Sequence, residues 1–392
     1  MRHRSDNPHE PPNARSPLSP PQPNPSRAWL LNLLDSFLRI QALWVTLAAA
    51  IVYLSYVLNL SPALRWVGLA LAFLPFPLRL GRSGIRSIRT PFDLPIVLLL
   101  TGAVVGFCVS DNRTISLVAL QCIFATTLFY YSWVNSSRLA DVIKWVIISF
   151  ALLFLTICVF YAVAVSITQG QPSFTIPGSG THHGLAMYLS IEAAILLGIA
   201  AFDRDKKTKL LACALFLIFV VMITAMTWDS LASLFGGRSV EGRLPIWEKT
   251  IDLLSESSLT GLGLGCWALT YWGTAILGTE AVGGITHAHN AYLELYSNTG
   301  VLGALALLVA FGVGLRLSVD IIRSRGNHNW YGFGVGLILA CVVTLLVAVL
   351  ESAPMGVPLV ATDTYYYVVS PVVWMLFGLL VMAHRNAIRD SG

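Results

Sequence analysis

The sequence predicts an all-α integral membrane protein of about ten transmembrane helices, with a large extracytoplasmic loop between the seventh and eighth spans. Three observations carry that expectation. Of 392 residues, 56% are hydrophobic and only 11% are charged, against roughly 25% charge in an ordinary soluble chain. Apolar runs near the roughly 20 residues needed to cross a bilayer recur along the chain. Lys and Arg gather on alternate turns between those runs, the pattern that sets membrane orientation. The mean hydropathy is +0.71. A net charge of +5 therefore reads as a topology signal, and no nucleic-acid partner is expected.

The elements follow in order. Residues 1–27 form a polar, Pro-rich tail, read as solvated coil or polyproline II. It has neither the apolar core nor the cleavage site of a signal peptide. Residues 28–40 (AWLLNLLDSFLRI) read as an amphipathic helix lying on the membrane surface. Ten candidate spans then fall at 41–60, 62–80, 94–110, 114–134, 143–168, 183–202, 209–227, 300–319, 331–351 and 367–384. Pro75 and Pro77 interrupt the second. The chain thus divides into the tail, an N-terminal bundle over 28–227, an extracytoplasmic catalytic loop with membrane-lying helices over 228–299, and C-terminal spans with a short cytoplasmic tail over 300–392. Of the six cysteines, all but Cys266 fall in apolar runs, so no structural disulfide is expected.

Placing the N-terminus in the cytoplasm puts 20 of the 25 Lys and Arg residues on the inside. Among them are Arg79, Arg82, Arg86 and Arg89 on one turn and Arg204, Lys206, Lys207 and Lys209 on another. Arg65, Arg113, Arg238, Arg243 and Lys249 fall outside. Both termini are then cytoplasmic, and segment 228–299 faces outward.

The outer face has no ATP or nucleotide sugar. A transferase there needs a donor already activated and delivered through the membrane, such as a lipid-linked pyrophosphate sugar. Its chemistry calls for a cation for the leaving group and a base for the attacking hydroxyl. In EGRLPIWEKTIDLL, residues 241–254, Pro245 suits a first helical turn, with Arg243 at the helix start. There a guanidinium beside helix N–H groups suits pyrophosphate; lipid headgroups or Glu241 are the competing partners. GLGLGCW, residues 261–267, lacks the strand, helix and Lys-Ser/Thr of a phosphate loop and reads instead as tight apolar turns. In HAHN, residues 287–290, Asn290 caps a helix that Gly300 either breaks or packs closely. His289 stands at its start, able to accept a proton near neutral pH; an interfacial or capping histidine is the competing reading. His287 and His289 lack a third ligand of suitable spacing, so no metal site is expected.

His289-Asn290, then Gly300 and Gly303, preceded by Arg243 and Trp247 and by Gly261, Gly263 and Gly265, resembles the signature of the O-antigen ligase and O-antigen polymerase superfamily. The resemblance covers residues 241–303. It implies a bacterial cytoplasmic-membrane glycosyltransferase of ten to twelve spans, with an undecaprenyl-pyrophosphate glycan donor, a lipid or glycan acceptor, membrane lipids around it, and no metal or other cofactor. It also implies that His289 activates the acceptor hydroxyl and Arg243 holds the pyrophosphate, with Asn290, Trp247 and His287 at the substrate. A second outer-face arginine, usual in the family, is missing from 169–184. His182, His183 and Arg238, with Arg65 and Arg113 further off, are the residues available in its place. Glu192 and Glu351, in or at the end of spans, are costly there and mark a cavity or an ion pair. Asp363 and Tyr365–Tyr367 suit glycan contact or an aromatic belt. A glycan-lipid transporter and a non-catalytic scaffold of polysaccharide assembly are the alternative functions. The absence of a visible repeat argues against the transporter.

Overall fold

The computed structural model describes residues 25–57, 60–84, 89–136, 145, 147–148, 151–152, 182–235, 242–272, 288–324, 330–350, 356–361, 364–369 and 371–389. Residues 1–24 of the Pro-rich tail, most of the fifth expected span, Arg238, Glu241, His287, Glu351 and Asp363 lie outside the described residues, and residues 25–27 of that tail open a helix.

The described chain is helical apart from one hairpin. In order come α1 (Pro25–Arg39), α2 (Gln41–Val57), α3 (Pro62–Phe73), α4 (Pro75–Ser83), α5 (Asp93–Val109), α6 (Arg113–Val134), α7 (His182–Phe202), α8 (Lys206–Phe235), α9 (Leu244–Glu256), α10 (Trp267–Trp272), α11 (Ala291–Arg323), α12 (Tyr331–Leu350), β1 (Gly356–Ala361), β2 (Thr364–Val369) and α13 (Pro371–Arg389). Among the described residues, five stretches are long and apolar enough to cross a membrane: Pro62–Arg82, Arg113–Val134, Lys206–Thr224, Ala291–Arg323 and Tyr331–Val349. Asn32–Arg39 and Gln41–Tyr53 make a sixth if counted as one span bent by 61°. Asp93–Val109, Leu189–Phe202 and Val373–Ile388 are apolar but shorter. Ten spans are thus not reached among the described residues.

The sharp bend after α1 fits an N-terminal helix lying across the start of the bundle. Asp35 on α1 meets Arg82 on α4 through two 3.1 Å bonds. Pro75 does not end the second span. It takes the first position of α4, and Leu74 before it stays helical (φ −52°, ψ −35°), so the chain continues in helical conformation through the junction. Between α7 and α8, Asp205 accepts from the Thr208 amide at 2.9 Å. Hydrogen bonds from Thr208 hold its carboxyl below the usual carboxylate range.

Helices α5, α6, α11 and α13 pack together, α12 joins α11, α13 and α7, and α7 carries α8. Small residues permit the α7–α12 crossing. A Cβ on Gly198 would lie 2.6 Å from the Gly332 carbonyl, the close backbone approach typical of membrane helix pairs. Phe92 stacks on Phe377 at 4.6 Å in the buried core. Leu43, Leu47, Val221, Leu308, Leu315 and Leu346 point outward and exposed, as lipid-facing positions do. Arg79 donates to the Asn135 carbonyl at 3.0 Å and Arg385 to the Val134 carbonyl at 3.3 Å. Both satisfy the C-terminal end of α6, where cations are favoured.

Two elements differ from the sequence expectation. α8 runs on to Phe235, past the boundary set at 227. The last expected outer loop contains an antiparallel hairpin, β1 on β2, with Leu359 opposite Tyr366 and Val360 opposite Tyr365. Its β-branched and aromatic residues favour strand.

Candidate functional site

The site is built from α9, the glycine turn of 261–265, and the segment that enters α11. In α9, Ile246, Thr250 and Leu254 recur every fourth residue and are buried. They seat the helix on a small second core of Ile246, Trp267, Tyr271 and Ala288. Trp267 stacks on Tyr271 at 4.6 Å and its indole N–H donates to Thr250 at 3.1 Å. Arg243 occupies the position immediately before the helix, half-buried, as expected.

The glycine turn is not a phosphate cradle. Gly261, Gly263 and Gly265 have φ of +76°, +101° and +74°, so alternate residues occupy left-handed space that glycine enters without penalty. The amide N–H groups of Leu262, Leu264 and Gly265 are already bound to protein. Leu262 donates to the Ser297 carbonyl at 2.7 Å and Leu264 to the Gly106 carbonyl at 3.1 Å, while Gly265 donates to the Asn298 side-chain oxygen. Ser110 on the α5–α6 connection reaches Cys266 Sγ at 3.0 Å. Ser116 Oγ donates to the Leu264 carbonyl at 2.6 Å. The turn therefore wedges against α5 and α6 and fixes the start of α11, as the tight-turn reading expects.

The third part is the 288–300 segment. Asn290 caps α11, its side-chain oxygen accepting from Tyr292 at 3.0 Å and Leu293 at 3.1 Å. Gly300 (φ +64°, ψ −160°) breaks the helix, and a Cβ there would overlap the Leu259 carbonyl, so both readings of this glycine hold together. His289, half-buried, has φ +47°, left-handed space that costs a non-glycine residue about 1–2 kcal/mol. Ala288 on its N-terminal side is clamped at both polar atoms. Its carbonyl accepts from the Trp247 indole at 3.0 Å, and its N–H donates to Glu294 at 2.8 Å. Glu294 is 1% exposed.

The structure thus brings together the segments carrying Arg243, Trp247, His289 and Asn290. Trp247 and Asn290, expected at the substrate, both have polar groups occupied in holding the turn. α7 begins at His182, so His182 and His183 lie in its first turn. Arg113, one candidate for the missing cation, donates to the Phe107 and Cys108 carbonyls at 2.7 Å each and so caps α5. Arg238 and His287 lie outside the described residues.

Sequence reading missed Glu294 and Asn298. Their signal was present: Asn290, Glu294 and Asn298 recur every fourth residue at the start of an apolar helix, which places three polar groups on one face. An apolar cavity lies beside them between α5, α11 and α13, lined by Leu99, Leu295, Ala306, Ala310, Trp374 and Phe377.

No curated protein matches the chain. Residues 172–308 match the protein-family model described as O-antigen ligase, a span that takes in the glycine turn, the His289 turn and the Gly300 break. The local spacing and this match agree: residues 172–308 are similar to the O-antigen ligase family.

Proposed function

We propose that the protein transfers or polymerises glycan on the extracytoplasmic face of the bacterial cytoplasmic membrane. The donor is an undecaprenyl-pyrophosphate-linked glycan, and the acceptor is a lipid or another glycan. The acceptor oxygen attacks the anomeric carbon and its proton passes to His289. The bond from that carbon to the pyrophosphate oxygen breaks, and undecaprenyl pyrophosphate departs with the electron pair. Arg243, at the start of α9, stabilises the growing negative charge. Energy stored in the donor drives the step, so neither ATP nor a metal enters the proposal.

The observation that carries this reading is the Trp247–Ala288 hydrogen bond. It links the helix that begins beside Arg243 to the residue preceding His289, which brings a cation and a base onto one scaffold. The apolar cavity at Leu295 and Ala306 supports a lipid-linked donor, because it offers apolar space along α11, the helix that His289 precedes, for part of the prenyl chain. His182, His183, Arg238 and His287 remain proposed substrate contacts.

Reconstitution in proteoliposomes with undecaprenyl-pyrophosphate-linked oligosaccharide and lipid A–core acceptor tests the proposal. Wild type should form a new glycosidic bond without ATP, while His289→Ala and Arg243→Ala should each lose at least about 10²-fold in rate. Full transfer by His289→Ala removes the proposed base. Movement of the glycan lipid across the bilayer with no new bond would replace the enzyme by a transporter.

A further inference from the structure

We infer that Glu294 is a positioning residue for His289, with Asn298 as its partner. The inference rests on the proposed role of His289 as base. It begins from the backbone: His289 at φ +47° occupies a conformation that persists only where the surroundings over-determine it. Three sets of bonds do so here. The Trp247 indole fixes the Ala288 carbonyl, which belongs to the same peptide unit as the His289 nitrogen. The Asn290 cap fixes the chain on the other side. Glu294 holds the Ala288 N–H at 2.8 Å, and it alone among these groups is a carboxyl removed from water.

A carboxyl buried to 1% exposure is costly unless each oxygen is engaged. The second oxygen faces Asn298 Nδ2 at 3.3 Å, and the same nitrogen donates to the Glu294 carbonyl at 2.7 Å. The Asn298 side-chain oxygen in turn accepts from Gly265. A chain of buried bonds therefore runs from the His289 turn through Glu294 and Asn298 to the glycine turn, which is braced on α5 and α6. His289 takes its position from the helix bundle through this chain.

The test uses full-length protein in the same proteoliposomes, with kcat and KM for both substrates, a pH–rate profile and a melting temperature for each variant. Glu294→Ala is expected to lower kcat by about 10²-fold, the scale of a displacement near 1 Å, with KM within about threefold of wild type. Glu294→Gln keeps an oxygen for the Ala288 N–H. It is expected to restore kcat to within about tenfold of wild type and to keep the wild-type pH profile. Asn298→Ala, which leaves the carboxyl in place, is expected to lower kcat by about tenfold at constant KM. It decides the matter if Glu294→Ala fails to fold. Wild-type kcat in Glu294→Ala or in Asn298→Ala, with His289→Ala inactive, overturns the positioning role and leaves the proposed function standing. An active His289→Ala overturns the proposed function itself. A Glu294→Gln variant as slow as Glu294→Ala, with a displaced pH limb, shows that the carboxyl handles protons directly and overturns positioning.

Discussion

The indole N–H of Trp247 donates to the Ala288 carbonyl at 3.0 Å. The bond spans two segments that sequence places far apart. Trp247 lies one helical turn beyond Arg243, and Ala288 lies one residue before His289. On the opposite side the same residue is held by Glu294. The turn is therefore anchored to a helix from the loop and to the first turn of the following helix at once.

Trp247→Phe keeps an aromatic ring against the Ile246, Trp267, Tyr271 and Ala288 cluster and removes the indole N–H together with part of the apolar surface. Losing one such bond costs about 1 kcal/mol. The expected outcome is a kcat lowered by about tenfold with KM nearly unchanged, measured as initial transfer rates in proteoliposomes. An unaltered kcat would show that this bond does not set the geometry of the site.

Gly300 combines φ +64° with ψ −160°, a region essentially closed to residues with a Cβ. Gly300→Ala should destabilise by roughly 1–3 kcal/mol from the backbone alone, and the clash with the Leu259 carbonyl adds to that. Gly312 on the same helix has open space where a Cβ would go, so Gly312→Ala should be neutral within about 1 kcal/mol. Melting of the two full-length variants in detergent gives the comparison. Equal melting temperatures would contradict the break at Gly300 as a packing requirement.

Much of this arrangement was legible in the sequence. Asn290 as a cap, Gly300 as a break, Arg243 at a helix start and the glycine run as a turn each follow from local chemistry that one residue or its near neighbours express. What stayed hidden depends on distant partners. Nothing near Trp247 signals Ala288, and nothing near Gly265 signals Asn298, because those bonds exist only once the loop has folded onto α5, α6 and α11. The hairpin was obscured for a different reason. Pro358 argues against strand, and the aromatic run 365–367 reads as well for a membrane interface as for β2. The extension of α8 to Phe235 was masked by Trp228, Asp229 and Ser230, whose polarity marks the end of an apolar run without ending a helix.

Arg113 bears on the missing arginine of the 169–184 segment. Its guanidinium donates to two carbonyls at the end of α5, each at 2.7 Å, and lies 5.2 Å from the centre of the Phe107 ring. Those contacts make it a helix cap. Arg113→Ala is expected to cost about 1 kcal/mol of stability while the donor KM stays within about twofold. A tenfold rise in donor KM at unchanged stability would instead make Arg113 a second cation for the pyrophosphate.

On the proposed function, the apolar cavity receives the donor's tail and so separates tail binding from the chemistry at its head. A polyprenyl chain lying there contributes equally to the bound substrate and the transition state, so filling the cavity should raise KM and leave kcat alone. Ala306 and Ala310 line it and are buried; Leu308, between them on α11, is 67% exposed and faces away. Ala306→Phe is expected to raise the donor KM by roughly tenfold, since one large group displaces about two methylenes of contact at about 0.8 kcal/mol each. Leu308→Phe should change nothing beyond about twofold. A donor with a shortened prenyl chain should bind wild type more weakly and show a smaller difference between wild type and Ala306→Phe, because less of its tail reaches the filled space. If Ala306→Phe and Leu308→Phe behave alike with the full-length donor, the tail lies elsewhere.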